Sequence, residues 1–200
     1  MEKIVQKFGG TSIGNANRMK AVAGIVQKTL ENNILPVVVL SALSSRGKKD
    51  GTTSRLLEAA EEAIKKGPYY KIIDHLLDTH IKIVKDAIEI RNLREELEEE
   101  IESELHKLKL FLDAIQVIGE ISPRSLDVII GTGEKLSARI FTSTLISQGT
   151  DASYVNLDNV IDKPFHEIDQ RFCSYLQKKL ANLVKECGAN VPVVTGFMGF

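Results

Sequence analysis

The first residues that could do chemistry lie near the start of the chain, where Lys7 precedes Gly9, Gly10, Thr11 and Ser12. Two adjacent glycines let a backbone turn tightly and come close to a ligand. The N–H groups that open a following helix favour an anion, and the lysine adds a positive charge. The segment therefore predicts a phosphate site. The spacing leaves one alternative open, an ordinary strand–turn–helix corner with Thr11 or Ser12 as the helix N-cap.

A P-loop is excluded here by the residues that follow the glycines. The run from Gly9 to Gly14 has the spacing Gly-x-x-x-x-Gly, but Asn15 and Ala16 stand where a P-loop carries the Lys-Ser/Thr pair that holds phosphate and magnesium. In this chain the lysine precedes the glycines, which requires a different geometry around a phosphate.

A second glycine motif, from Val128 to Gly133, begins like a dinucleotide-binding fingerprint. The apolar run before Gly131 could be a strand or the end of a helix, and Asp151 lies about as far along as the acidic residue that meets a ribose. Leu136 stands where the fingerprint needs a third glycine so that helix and strand can approach. The fingerprint is therefore the weaker interpretation.

Apolar periodicity predicts the elements that position these residues. A strand ending at Phe8, a helix with one buried face through Leu30, and a short β-branched strand over residues 34–40 form a βαβ unit. In parallel sheets, ligands bind beyond the carboxyl ends of the strands. We therefore expect the segment Lys7–Ser12 and the residue Ser41 to open on the same edge of an α/β sheet.

The middle of the chain predicts long helices. Residues 69–117 carry two helical patterns almost free of Gly and Pro, which we interpret as a helical hairpin inserted into the α/β body. The acidic run Glu95–Glu104 is expected to be a solvated face, with an acidic binding surface or contact with a second subunit as alternatives. A helix from Glu134, a strand over 152–157, a further helix and a strand over 191–194 follow.

A polar stretch separates the second strand from the next helix. Its composition is typical of a mobile surface loop and of a lid. Arg46, Lys48 and Lys49 could contact phosphate groups, but solvated loop side chains are the commoner case. We expect Thr52 or Thr53 to cap the helix that follows.

Composition excludes several classes of protein. The chain is 43% hydrophobic and 26% charged, as a globular protein is, and its net charge of −1 offers no basic excess for nucleic acid or an anionic membrane. No apolar run approaches the roughly 20 residues of a spanning helix, and no signal layout opens the chain, so we expect a cytoplasmic protein. The cysteines and histidines lack metal-site spacing, so no metal held by protein side chains is expected.

Five ordered segments together resemble the aspartate kinase family of the amino-acid kinase superfamily, and specifically its N-terminal part. They are Lys7–Ser12, Ser41-Ala42, Thr53–Leu57, Gly133–Ser137 and Val194–Phe197. In that order they resemble the opening phosphate loop, the serine-rich end of the second strand, the Thr-Asn-x-Leu-Leu helix start, the Gly-Glu-x-x-Ser motif and the late strand with Gly-Phe. Each segment is weak alone, but five in order are specific.

The resemblance implies a fold and a reaction. The fold is a three-layer αβα sandwich with a mostly parallel sheet, and the ligands are L-aspartate and ATP with Mg²⁺ held mainly through the nucleotide. The product is 4-phospho-L-aspartate, at the first step of lysine, threonine and methionine biosynthesis, and a homodimer is expected. Because a carboxylate is already ionised at neutral pH, no general base is needed, and catalysis must overcome repulsion between two anions.

The resemblance also assigns roles in the first segment. Lys7 would be the catalytic residue that neutralises charge on the transferring phosphoryl group, and backbone N–H groups at the two glycines would hold phosphate oxygens. The ATP-binding residues would be Lys7, Phe8, Gly9, Gly10, Thr11 and Ser12.

The substrate residues implied are Ser41, Thr53, Gly133 and Glu134. Glu134 would bind the α-ammonium group of aspartate; the alternative is a first-turn glutamate that complements the helix dipole, worth under about 1 kcal/mol at an exposed site. Ser41 and Thr53 would hydrogen-bond the carboxylates of the substrate. The loop between these two residues is longer than in the bacterial pattern.

The family continues with a Gly-Arg-Gly-Gly-Ser-Asp segment, an adenine-binding half and regulatory ACT domains, none of which occurs in these 200 residues. We therefore expect residues 1–200 to be the N-terminal portion of an amino-acid kinase domain, inactive alone. Two alternatives stay open: another member of the superfamily, acting on glutamate, N-acetylglutamate or a nucleotide, or a non-catalytic module that binds an amino acid.

Overall fold

The computed structural model describes residues 1–45, 50–158, 160–165 and 167–196. Within these residues, four strands form one sheet, namely β1 (Glu2–Phe8), β2 (Ile34–Leu40), β3 (Ala152–Val155) and β4 (Val191–Thr195). Their order across the sheet is β1-β2-β4-β3, and every neighbouring pair is parallel. All the carboxyl ends therefore lie on one edge.

Helices connect and cover these strands. They are α1 (Ala16–Glu31), α2 (Thr52–Ile64), α3 (Tyr69–Ala87), α4 (Arg91–Ile118), α5 (Pro123–Ser147) and α6 (Gln170–Glu186), with a 3₁₀ turn at Gly10–Ser12. None of the helices in the described part of the chain is long and apolar enough to cross a membrane.

Strand β2 is buried on both faces, which explains its nearly continuous apolar sequence. On one face, Val38 and Leu40 belong to a large core that includes residues of α1 to α5. On the other face, Val37 and Val194 pack with leucines of α6. Helices therefore cover both sides of a parallel sheet, and the predicted three-layer αβα fold is confirmed.

Strand β1 lies at an edge of this sheet and is the least covered strand. Ile4 and Val5 are 46% and 67% exposed, although the register pairs Val5 with the buried Val37. Helix α6 covers β2, β3 and β4 on the face that carries Val37 and Val194, but leaves the same face of β1, at Val5, exposed. Lys7 lies on the same face as Val5, because alternate residues of a strand share a face.

Helices α3 and α4 form the predicted inserted hairpin. Each turn of α4 buries an apolar residue, and the buried set is Leu97, Ile101, Leu105, Leu108, Leu112 and Ile115. Gly119 ends the helix with φ of 80°, a conformation that favours glycine. The acidic run is mostly solvent-exposed, as predicted, but Glu104 is not, since only 17% of its side chain is accessible.

Helix α5 decides between the two interpretations of the second glycine motif. It begins at Pro123, capped by the Ser122 hydroxyl, and continues without a break through Gly131 and Gly133. Residues 123–130, which lead directly into these glycines, are helical and not a strand, so the dinucleotide-binding fingerprint is excluded.

Buried hydroxyl groups of α5 donate hydrogen bonds to carbonyls one turn earlier in the helix, as Thr144 does to Ile140 O at 2.8 Å.

The predicted cap of α2 is wrong, because its N-cap is Gly51 rather than Thr52 or Thr53. The alternative cap of α1 is also wrong, since the N-cap is Asn15, three residues after Ser12. The prediction for Arg46, Lys48 and Lys49 lies outside the described residues.

Candidate functional site

The strand ends meet at one edge through backbone hydrogen bonds. Ser41 N–H donates to Phe8 O at 3.2 Å, and Gly196 N–H donates to Leu40 O at 2.9 Å. The register pairs Phe8 with Leu40 and Leu40 with Thr195, so β1, β2 and β4 end level with each other. The expectation that the first glycine segment and Ser41 open on the same edge is confirmed.

The glycine loop, residues 7–12, is shaped by contact with the loop after β2. A Cβ added at Gly10 would lie 2.1 Å from Ala42 O, so only glycine fits there. Ser44 N–H donates to Gly10 O at 3.1 Å and joins the two loops. At Gly9, by contrast, a Cβ would meet no described residue within 4 Å, and the backbone is extended (φ −76°, ψ 162°). Packing of the described residues therefore requires Gly10 but not Gly9.

Thr11 and Ser12 lie exposed in the 3₁₀ turn and do not cap α1. The cap is Asn15, whose Oδ1 accepts the Arg18 N–H at 2.9 Å. The Arg18 side chain also donates to Thr11 O, at 3.0 Å, and so holds the turn against the helix. The alternative in which these two hydroxyls serve as caps is excluded, and both are accessible from solvent at the sheet edge.

Lys7 and Phe8 point to opposite faces of β1. Phe8 packs against the large core, whereas Lys7 is exposed beside Val39, its register partner on β2. The lysine therefore stands at the carboxyl end of β1, on its uncovered face and exposed to solvent.

Helix α2 and the loop after β2 form the next part of the edge. Thr52 N–H donates to Leu43 O at 2.9 Å, which fixes the start of the helix beside the loop. Thr52 is buried, and Thr53 is half-buried in the first turn. Ser41 O accepts the Ser137 hydroxyl of α5 at 2.9 Å, so the loop is held from a second helix too.

Gly133 lets α5 come close to this loop. A Cβ there would lie 2.9 Å from Ala42 Cβ and 3.0 Å from Thr52 Cγ2. A glycine inside a helix costs roughly 1 kcal/mol relative to alanine, so its presence in α5 is explained by this approach. Gly133 thus brings α5, α2 and the β2 loop into contact.

Glu134 follows Gly133 and faces the ends of β2 and β4. Its Oε2 atom is buried, and a Cβ added at Gly196 would lie 3.2 Å from that oxygen and 2.7 Å from Leu40 O. Gly196 is therefore required by close approach of β2 and Glu134. The Glu134 carboxylate borders the same edge on which the glycine loop opens.

Lys135 was missed by the sequence interpretation. Its Nζ lies 3.2 Å from Glu104 Oε1 on α4 and 2.6 Å from Asp158 Oδ2 beyond β3. Burial alone would lower the pKa of Lys135, but hydrogen bonding to Asp158 and the charges of Glu104 and Asp158 raise it overall. The only sequence signal was a lysine inside an otherwise buried stretch of helix.

A second cationic contact lies one turn further along α5. Arg139 Nη1 donates to Glu100 Oε2 at 2.5 Å, and the guanidinium lies 4.6 Å from the centroid of the Tyr154 ring. Burial raises the pKa of the Tyr154 hydroxyl to about 12, although the nearby Arg139 charge opposes the shift. Tyr154 therefore remains neutral at physiological pH.

The predicted residues fall into two groups on one edge. The glycine loop lies at the end of β1, and the helix side, defined as Ser41, Thr53, Gly133 and Glu134, surrounds the ends of β2 and β4. Since β2 separates β1 from β4, the two strand ends are about 10 Å apart, two strand spacings. Among the described residues, no group of three or more His, Cys, Asp or Glu side chains could hold a metal ion.

Comparison with known proteins shows the family to which the chain is similar. A model of the amino acid kinase family matches residues 2–200. The aspartokinase of Schizosaccharomyces pombe is 34% identical over 200 residues, and that of Saccharomyces cerevisiae is 35% identical over 207 residues. The structure of Escherichia coli aspartokinase III in complex with aspartate and ADP covers 98% of this chain with a TM-score of 0.76 at 23% identity.

The matched region is only part of each relative. Each yeast alignment includes 98% of this chain but only 38% of the S. pombe protein and 39% of the S. cerevisiae protein. The match to the E. coli structure includes 41% of that chain. The chain therefore spans about two-fifths of the length of the proteins that it matches.

Proposed function

The chain belongs to the amino acid kinase family, and on this basis we propose that it is the N-terminal portion of an aspartate kinase. The proposed reaction transfers a phosphoryl group from ATP to the side-chain carboxylate of L-aspartate and yields 4-phospho-L-aspartate. This is the first step in the biosynthesis of lysine, threonine and methionine. The 34–35% identity to yeast aspartokinases supports aspartate as the acceptor.

One observation carries the proposal: a glycine loop with a lysine and a glutamate-bearing helix turn open on the same sheet edge. The first suits an anionic phosphoryl donor, and the second suits the ammonium group of an amino acid. A separation of about 10 Å between the ends of β1 and β4 leaves room for a small amino acid beside a terminal phosphate.

In the glycine loop, the space above Gly9 supports a role in holding phosphate. Among the residues that the structure describes, nothing lies within 4 Å of a Cβ at Gly9, so their packing does not account for the glycine. A phosphate oxygen could approach that backbone closely. Lys7, exposed at the end of β1, would neutralise charge on the transferring phosphoryl group, and Thr11 and Ser12 would add hydroxyl donors.

On the helix side, Glu134 would bind the α-ammonium group of aspartate. Its partly buried position strengthens a charge interaction relative to one in bulk water. Thr53 and Ser41 would donate hydrogen bonds to the carboxylates, and Gly133 gives the helix turn its place against the loop. Because the aspartate side chain is ionised at neutral pH, these residues need only position it.

Magnesium, the homodimer and a cytoplasmic location belong to the same proposal. The described residues offer no protein cage for a metal ion, so Mg²⁺ would be held through the phosphates of ATP. The adenine-binding half and the regulatory ACT domains would lie in sequence that these 200 residues do not contain. This chain alone would therefore have no detectable kinase activity.

Trapping of acyl phosphate with hydroxylamine tests the proposal. The chain is assayed with ATP and a panel of acceptors (aspartate, glutamate and N-acetylglutamate), alone and mixed with the remaining C-terminal portion of a yeast aspartokinase. We expect hydroxamate only from aspartate and only with the complementing portion. A product from another acceptor contradicts the substrate assignment, and turnover by the chain alone contradicts the need for a second half.

A binding measurement separates the catalytic proposal from a purely binding module. Calorimetry is used to titrate the chain with aspartate and, separately, with MgATP. Aspartate should bind to the chain alone through the helix side, whereas binding of aspartate with no hydroxamate in the complemented assay would favour a non-catalytic module.

A further inference from the structure

Lys135 lies next to Glu134 in α5, but its side chain contacts other elements. Its ammonium group lies within hydrogen-bonding distance of Glu104 on α4 and Asp158 in the segment after β3, at 3.2 Å and 2.6 Å. Asp158 is oriented in turn by Asn156, whose Nδ2 donates to Asp158 Oδ2 at 3.2 Å. The ion triad Glu104–Lys135–Asp158 therefore joins three elements around the helix turn that carries Glu134.

The triad is withdrawn from water. The side chains of Lys135 and Glu104 are 11% and 17% exposed, and only Asp158, at 41%, is well solvated. Removing charges from water is expensive, and apolar side chains of similar volume are often equally stable or more stable in such a place. A gain in stability therefore does not explain why charged side chains occupy this place. Ion pairs differ from apolar contacts in that they fix the direction in which the side chains point.

The geometry of the helix turn shows what this directionality would control. Successive residues of an α-helix project about 100° apart. Gly133 faces the β2 loop and α2, Glu134 faces the ends of β2 and β4, and Lys135 faces α4 and β3. Lys135 therefore holds this turn from the side of α4 and the segment after β3, while the Ser137 hydroxyl and the close contacts at Gly133 hold it against the loop after β2.

We propose that Lys135 is a positioning residue, whose ion triad fixes the rotation of the α5 turn and so orients the Glu134 carboxylate toward the ends of β2 and β4. The inference rests on the proposed function, in which Glu134 binds the ammonium group of the substrate. Through Glu104, the triad also connects this orientation to the α3–α4 hairpin. The charge that this requires is present at neutral pH, because the pKa of Lys135 is raised.

Helix α5 supplies a matched control for testing the triad. Arg139 lies one turn from Lys135 and makes a comparable ion pair with Glu100 on α4 at 2.5 Å. A general loss of packing between α4 and α5 should affect both variants, Lys135→Met and Arg139→Met, alike. A positioning role predicts that only Lys135→Met changes the Glu134 turn.

The first measurement is aspartate binding by calorimetry. We expect roughly tenfold weaker binding in Lys135→Met, because small displacements of a positioned group have large effects. Binding should stay within about threefold of the unmodified chain in Arg139→Met and in the rescue variant Lys135→Arg. Equal weakening in both methionine variants, or none in Lys135→Met, overturns the inference. If Lys135→Met does not fold, Glu104→Gln replaces it, with the same loss of roughly tenfold expected, because either substitution breaks the triad.

The second measurement needs no ligand. Amide hydrogen exchange of residues 133–138 should accelerate roughly tenfold in Lys135→Met but not in Arg139→Met, since the anchor of that turn is lost. If the unmodified chain binds no aspartate, the proposed function fails, and hydrogen exchange still decides the inference. Unchanged exchange at residues 133–138 in Lys135→Met overturns it.

Discussion

The glycine loop and the turn of α5 around Glu134 lie on one sheet edge but differ in what surrounds them. The glycine loop ends an edge strand whose outer face is open, and its lysine is exposed. The α5 turn is enclosed by α2, α4 and the loop after β2, and its neighbours on both sides are buried. The glycine loop therefore offers an exposed positive charge. The α5 turn offers a carboxylate, Glu134, whose surroundings are fixed by packing.

This difference indicates which part of the sheet edge is held by contacts among the described residues. The helix side is built from contacts within residues 1–200, so its geometry should survive in this chain alone. Within the described residues, the glycine loop is held by the contact of Gly10 with Ala42 and by the hydrogen bond from Arg18 to Thr11 O, while Lys7 and Gly9 stay exposed. We therefore expect substitutions in the loop to change catalysis more than stability, and substitutions in the α5 turn to change both.

Replacement of Lys7 by alanine should have the largest effect on turnover. Loss of one preorganised charge at a transferring group costs roughly 10³-fold in rate. Binding of aspartate should be preserved, because Lys7 lies outside the helix side. Hydroxamate formation in the complemented assay measures turnover, and calorimetry on the same variant measures the affinity for aspartate. Normal turnover with weakened aspartate binding would reverse the assignment.

The two adjacent glycines should respond differently to alanine. Gly10→Ala places a Cβ 2.1 Å from Ala42 O and should destabilise the fold by roughly 3 kcal/mol. Gly9→Ala meets nothing within 4 Å and should change stability by under about 0.5 kcal/mol. Urea unfolding measures both free energies. If Gly9→Ala is stable but forms no hydroxamate in the complemented assay, the space above Gly9 is needed for phosphate binding.

Substitution Glu134→Gln should weaken aspartate binding by roughly 30-fold, because it removes the charge that the ammonium group needs and keeps the shape of the side chain. Binding of MgATP should be unaffected. Calorimetry with each ligand checks the pair of expectations. Equal aspartate affinity in the variant would leave Glu134 with only a structural role at the helix turn.

A smaller effect is expected from His80, buried in the hairpin that supports the α5 turn. Burial lowers its pKa below the ordinary 6.5, although the hydrogen bond between Nδ1 and Leu76 O opposes the shift. The unfolded chain therefore binds the proton more readily than the folded chain, and stability is complete above about pH 6.5 and is lost as the pH falls below it.

The substitution His80→Leu isolates this contribution. Between pH 7.5 and 5.5 the unmodified chain should lose about 1 kcal/mol more stability than the variant. Urea unfolding at the two pH values measures the difference, and parallel losses in both proteins would show that folding does not lower the pKa of His80. The acidic residues of α4 provide a background that the two proteins share.

Much of the fold follows from local patterns. The run over residues 34–40 predicted β2 because a short β-branched segment suits a strand covered on both faces. The hairpin followed from two apolar stripes at helical spacing. The position of Ser41 beside the glycine loop followed from the rule that parallel strands end on one edge.

Local rules did not select correctly among equivalent residues. Thr11, Ser12 and Asn15 are all good N-caps, and Asn15 was chosen because contact of Gly10 with the β2 loop holds the residues before it in a 3₁₀ turn. Likewise, Gly131 and Gly133 suggested the end of a helix or strand, but α5 continues through both. Gly133 is explained instead by the close approach of α5 to Ala42.

What the sequence by itself determined is the set of elements and the identity of the chemical groups, because periodicity and residue type are local properties. Only the tertiary structure decided which groups face each other. Lys135 and Glu104 are 31 positions apart in the chain, and their contact depends on how α4 packs on α5. Charge pairing has no periodicity along the sequence, so the residue that we infer to orient Glu134 is identified only from the folded chain.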